Sequence, residues 1–169
     1  MTRGLDPSSC RDSLSRLLGD EYSLLIQLQR QLVREHVLLS NGDIDGLEAA
    51  GSERQSCVAA LLKLEDERLA LCRMLGHSPN LKGLETLLLW CDPQGLLRQP
   101  LQDCTDLAGR CKEQNTRNGM LVNARLQRVS GVLGLLTTND AAPATPVYGR
   151  KGNAFATPAP TGRMLSFSA

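Results

Sequence analysis

Apolar residues recur at steps of three and four along most of the chain, most regularly between Leu101 and Leu136. There Leu101, Cys104, Ala108, Cys111, Asn115, Asn118, Val122, Arg125, Val129, Val132 and Leu136 keep heptad spacing without a slip. That is the period of a helix packed lengthwise on others. No proline interrupts the stretch, so one helix of roughly 55 Å is expected at 1.5 Å per residue. The seam begins small and apolar, passes through Asn115 and Asn118, and ends in Val and Leu. Leu121, Leu126, Leu133 and Leu135 form a second stripe beside its last part. The helix is therefore apolar on two sides from Leu121 onward. One side serves the chain's own bundle, and the other is covered either by a partner or by the rest of the fold.

Upstream, Asp6-Pro7 predicts the start of a first helix, with Asp6 as N-cap and Pro7 in its first turn. Leu14, Leu18, Leu25, Leu28, Leu32 and Leu39 hold a heptad series in which Glu21 and Glu35 occupy two places. Those carboxylates are expected to pair with basic residues of another helix or to sit at its rim. Ser40-Asn41-Gly42-Asp43 reads as a stop and restart, short enough to make its two helices antiparallel neighbours. The second helix is expected from Ile44 to Leu75, with the charge run Glu65-Asp66-Glu67-Arg68 mostly on a solvated face. Ser78-Pro79 predicts the cap and first turn of a short third helix, Leu81 to Cys91. That helix is apolar enough, with the chain's single Trp at Trp90, to be expected buried against the hairpin. Asp92-Pro93 repeats the start signal, and Pro100 either kinks the helix or, the reading preferred here, marks the beginning of the long one.

The composition changes after Leu136. Thr137 to Ala169 is rich in Pro, Ala, Thr and Gly and cannot bury enough surface to order itself. The expected organisation is a helical domain over 1–137 and a disordered tail over 138–169. Tyr148, Phe155 and Phe167 lie in that tail, as docking anchors or as parts of a plain spacer. The fold class is all-α: an antiparallel helical bundle or coiled coil with one long C-terminal helix.

Aromatic residues make up 3 % of the 169 residues and hydrophobic residues 41 %, so the core is built from Leu, Val and Ala. A net charge of +1 implies neither nucleic acid nor an acidic membrane surface as partner. No apolar run reaches the ~18 residues of a membrane span, and Met1 to Cys10 lacks a signal-peptide pattern. A cytoplasmic location is expected. The six cysteines form no Cys-x-x-Cys pair. Cys104 and Cys111 stand about 10 Å apart along one helix face, too far for a disulfide or a shared zinc ion. They read as small buried hydrophobes. His36 and His77 stand alone, the glycines form no phosphate loop, and no Gly-x-Ser-x-Gly turn is present. Neither a metal nor another cofactor is expected, and the chain does not read as an enzyme.

Several segments together resemble the FlgN family of flagellar export chaperones. They are the Leu-rich first helix with Glu21 and Glu35; Gly42-Asp43-Ile44-Asp45-Gly46-Leu47, similar to the family's GDxxxL hairpin; and Leu64-Glu65-Asp66-Glu67-Arg68 followed by Leu75-Gly76. The most specific is Asn115-Thr116-Arg117-Asn118-Gly119, similar to the family's N-x-x-N-G in the last long helix. Val147-Tyr148-Gly149-Arg150-Lys151-Gly152 looks like its Tyr-Gly-x-x-Gly element, while Asn153 to Ala169 matches nothing in the family pattern.

The resemblance implies a cytoplasmic, all-helical chaperone of flagellar type III secretion. Its clients would be the C-terminal helical regions of the two hook–filament junction (hook-associated) proteins, and its destination the membrane export gate, with the export ATPase as a further contact. Under that resemblance the client surface falls on Leu121, Val122, Leu126, Val129, Val132, Leu133 and Leu136. Asn115 and Asn118 either orient the client or align the chain's own helices, and Gly119 would admit a close backbone. Tyr148, Arg150 and Lys151 are the expected gate contact. Two other classes remain open: a coiled-coil protein that self-associates as a homo-oligomer, and an adaptor for a regulatory factor.

Overall fold

The structure is a computed structural model that describes residues 6–139. Among the described residues there are four helices and no strand: α1 (Pro7–Asn41), α2 (Ile44–Met74), α3 (Leu81–Cys91) and α4 (Arg98–Asn139). The tail expected from 138 onward lies, from residue 140, outside the described residues. The chain divides into two units, Met1–Ala124 and Arg125–Ala169. The first holds α1, α2, α3 and the first part of α4.

The local signals in the sequence account for most helix ends. The Asp6 side chain accepts from the Ser9 N–H, and Pro7 stands in the first turn of α1, where its missing N–H costs nothing. At the other end Gly42 takes a left-handed φ of 75° and donates to the Leu38 carbonyl, a conformation in which a Cβ would be strained. Asp43 then caps α2 by accepting from Gly46 N at 2.9 Å. Two start signals were misplaced. The cap of α3 is Asn80, whose Oδ1 accepts from Gly83 N at 2.9 Å, not Ser78. Asp92 does not open a helix; its two carboxylate oxygens accept from Leu96 N and Leu97 N at 3.0 and 2.8 Å. The buried carboxylate thus closes a turn, and α4 starts at Arg98 with Pro100 inside its first turn.

α1 and α2 are antiparallel. Two heptads separate Glu21 from Glu35 on α1, and two separate Arg54 from Arg68 on α2. Arg68 Nη1 meets Glu21 Oε2 at 3.0 Å, and Arg54 Nε meets Glu35 Oε1 at 2.8 Å. Arg68 also reaches Glu65, so the charge run folds partly inward. The two carboxylates of the α1 heptad therefore pair with the neighbouring helix.

The part of α4 within the first unit lies parallel to α1, held by a ladder with a constant separation of 86 residues. Cys104 Sγ approaches the Leu18 carbonyl at 3.5 Å, Cys111 Sγ the Leu25 carbonyl at 3.5 Å, and Asn118 Nδ2 the Leu32 carbonyl at 2.8 Å. One small side chain per heptad lets the helices come close enough for side chain to touch backbone. The core consists of Cys10, Leu14, Leu17, Leu18, Leu25 and Leu32 of α1, Leu71 and Cys72 of α2, Leu87 and Cys91 of α3, and Leu97, Cys104, Leu107 and Cys111 around α4.

All six cysteines are free and buried. Burial pushes the Cys104 thiol up to about 11, and burial with the neighbouring Cys91 and Cys72 pushes Cys10 up to about 12. Such thiols behave as small apolar side chains. α3 departs from expectation. It buries Gly83, Leu87 and Cys91 but leaves Leu89 78 % and Trp90 42 % exposed. The hairpin covers one face of this short helix rather than all of it.

Candidate functional site

The residues singled out in α4 divide into an inward and an outward set. Asn118 is 4 % exposed and fully engaged. Its Nδ2 donates to the Leu32 carbonyl, so its Oδ1 is the acceptor for Gln114 Nε2 at 3.1 Å and for His36 Nδ1 at 3.0 Å. His36 therefore carries its proton on Nδ1 in this arrangement. The histidine that stood alone in the sequence has its partner 82 residues away on another helix, a separation that no local spacing reveals. Asn118 serves the chain's own register.

Asn115 is exposed and does not sit on the seam with it. The buried or half-buried positions after Cys104 are Leu107, Ala108, Cys111, Gln114, Asn118, Leu121 and Arg125. They keep Cys104, Ala108, Cys111, Asn118 and Arg125 of the expected series, and put Gln114 and Leu121 in place of Asn115 and Val122. Leu107 was absent from that series and is among the largest fully buried side chains. Gly119 is exposed, and a Cβ there would meet nothing within 4 Å. Among the described residues no backbone from elsewhere in the chain takes up the space it leaves.

The outward set begins at the end of the first unit, where Val122 is 38 % exposed and Leu121 half-buried. In the second unit the helix continues to Asn139, and Leu126, at 60 %, leads a series of exposed residues with Val129, Val132, Leu133 and Leu135. Exposure of that many large aliphatic side chains on one helix segment is uncommon for a surface with no partner. The side chain of Leu136 lies outside the described residues, as do Tyr148, Arg150 and Lys151.

Little else in the described residues offers chemistry. The bundle interior holds a void of about 10 Å³ between Leu14, Leu17, Leu84 and Leu101, about one water in size. No group of three His, Cys, Asp or Glu side chains with metal-binding geometry occurs among the described residues. Nor, among them, is any helix long and apolar enough to cross a membrane.

A family model described as FlgN protein matches residues 11–155. The chain belongs to the FlgN family. Membership of that family implies a flagellar export chaperone. The match takes in all of the bundle except the first turn of α1, and it extends past the end of α4. No curated protein and no solved structure matches the chain.

Proposed function

We propose that this FlgN-family protein acts in the cytoplasm, binds the C-terminal helical regions of the hook–filament junction proteins, and delivers them unassembled to the export gate. The observation that carries this reading is the exposed Leu/Val series of α4. A filament-type subunit whose amphipathic end is free would assemble early, and a helix with an uncovered apolar side can shield it by helix-on-helix packing. Helix lengths agree with such a division of labour. α1 has nine residues left after Leu32, to Asn41, whereas α4 has twenty-one after Asn118, to Asn139. In this reading Leu121, Val122, Leu126, Val129, Val132, Leu133 and Leu136 touch the client. Asn115 and Gly119, both exposed, border that surface. Tyr148, Arg150 and Lys151 meet the gate.

Co-purification with the two junction proteins, each with and without its C-terminal helical region, tests the proposal. Full-length partners should be retained and truncated ones lost. The double substitution Leu126→Asp with Val129→Asp should abolish retention while circular dichroism stays helical. Undiminished retention by that variant would remove the α4 strip from the site. A stable homodimer that buries the same residues and excludes the junction proteins would replace the chaperone reading by self-association.

A further inference from the structure

The two flanks of the α1–α4 contact are unlike. On α1 the contact row is Leu18, Leu25 and Leu32, whose carbonyls meet Cys104, Cys111 and Asn118. Positions three and four residues on from such a row fall on its opposite flanks. The first flank is Glu21, Leu28 and Glu35, and α2 covers it through Arg68 and Arg54. The second is Tyr22, Gln29 and His36, with Ile26 and Val33 beyond them. Here Tyr22 remains 40 % and Val33 49 % exposed, and Ile26 is half-buried. α3 packs nearer the start of α1, where Leu84 and Leu88 line the small void with Leu14, Leu17 and Leu18.

α4 supplies a second wall. Gln114 and His36 both donate to Asn118 Oδ1, which puts the Gln114 side of α4 beside the His36 side of α1. Arg110 and Arg117 stand four before and three after Gln114, and both are exposed. Among the described residues neither enters an ion pair. Asp106 and Glu113 stand one turn before them but further round the helix, and Asp106 accepts from Gln102. The two parallel helices thus frame a groove that is apolar on the α1 wall and cationic on the α4 wall.

We propose that this groove, between Tyr22, Ile26 and Val33 of α1 and Arg110, Gln114 and Arg117 of α4, takes an amphipathic helix of another protein whose apolar face is bordered by carboxylates. The occupant fills the place of a further long helix in the bundle, its apolar residues on the α1 wall and its carboxylates toward the two arginines. The inference goes beyond the α4 strip, since all six residues lie in the first unit and ahead of Leu121. Charge decides among the occupants. Residues 140–169 carry three Lys and Arg against one Asp, a balance of +2, and a cationic wall repels them. A second copy placed groove to groove brings four arginines together. A carboxylate-bordered helix matches the wall. Its apolar contact supplies most of the affinity, and the arginines supply discrimination and faster encounter.

The test uses the full chain and three synthetic heptad-patterned helical peptides with one apolar face, bordered by Glu, Gln or Lys. The Glu-bordered peptide should bind about three- to tenfold more tightly than the Gln-bordered one, as two exposed ion pairs allow, and the Lys-bordered peptide more weakly than either. Arg110→Glu with Arg117→Glu should invert that order. Tyr22→Ser with Val33→Asp, both at exposed positions, should lower affinity for the Glu-bordered peptide about tenfold while circular dichroism stays helical. The Leu126→Asp, Val129→Asp variant should bind it as the parent chain does. Loss of binding in that strip variant and not in the groove variant would overturn the groove and leave the docking strip standing. Equal affinity for all three peptides would overturn the match of charge on which the occupant rests. Photoreactive benzoylphenylalanine in place of Val33 should crosslink to the Glu-bordered peptide. Crosslinks instead to residues 140–169 of the same chain, or to a second copy, would give the groove to those occupants and overturn the proposal.

Discussion

At Gly83 the chain leaves no room for a side chain. The residue is buried in the first turn of α3, and a methyl group there would overlap the backbone carbonyl of Ser78. Backbone cannot move aside as a flexible side chain can, so Gly83→Ala should lower stability by roughly 1–3 kcal/mol, read as the midpoint of urea unfolding. An unchanged midpoint would mean that the Ser78–Asn80 turn gives way without cost. Gly119→Ala is the contrasting case. Its surroundings are open and it lies inside α4, so the substitution should leave stability unchanged or raise it by about 0.5–1 kcal/mol. Loss of client binding without loss of stability would show that this glycine makes room for the client. The sequence singled out Gly119 and gave no sign of Gly83, because a glycine's neighbours come from the fold. The same holds for His36. Its chemistry is readable from the residue alone, but its acceptor on Asn118 is not.

At the scale of helices, spacing carried much of the information. Glu21 and Glu35 stood at heptad positions of an otherwise leucine-rich face, a placement that called either for cationic partners or for a place at the rim. Their identity, Arg68 and Arg54, follows from the antiparallel register set by Gly42 and Asp43. The Glu35 side chain is 9 % exposed against 42 % for Arg54. Arg54→Met should therefore cost about 1–3 kcal/mol by leaving a buried carboxylate without its partner. The exchange Glu35→Arg with Arg54→Glu should recover part of that loss, and a double-mutant cycle by thermal melting reads the coupling. Zero coupling would show that the pair contributes nothing beyond packing. For α4 the heptad period was correct and the side turned inward was partly wrong. The expected and observed seams share Leu101, Cys104, Ala108, Cys111, Asn118 and Arg125, and a period alone cannot choose between the flanks. Burial in the fold chose Gln114 and Leu121 over Asn115 and Val122. α3 was misjudged for a related reason. Eleven residues with apolar side chains on every face do not show how many faces a neighbour covers.

Over the whole molecule the buried thiols couple stability to pH. Cys10 and Cys104 are raised from an ordinary value of 9.0 to about 12 and about 11, chiefly by burial. Below 9 both folded and unfolded chains hold these protons, and the contribution to stability is complete. Between 9 and about 11–12 the unfolded chain has lost protons that the folded chain keeps, so stability falls as pH rises. Thermal midpoints should be level from pH 7 to 8 and decline above 9. The decline between 9 and 11 should be shallower in a Cys10→Ala, Cys104→Ala variant. An identical slope in that variant would assign the alkaline loss to other groups.

The sequence by itself determined the all-α class, the order and approximate limits of four helices, the hairpin between α1 and α2, and the family. These depend on residues close in the chain: caps, breakers, heptad spacing and short motifs, all of which act over a few turns. Only the tertiary structure decided that Asn118 faces α1 and Asn115 does not, that His36 and Gln114 share one acceptor, and that α3 keeps an uncovered side. It also decided which face of α4 the bundle buries and which it leaves to solvent. Each of these depends on which helix lies alongside and at what offset. That offset comes from the packing of side chains dozens of residues apart, and no local pattern encodes it.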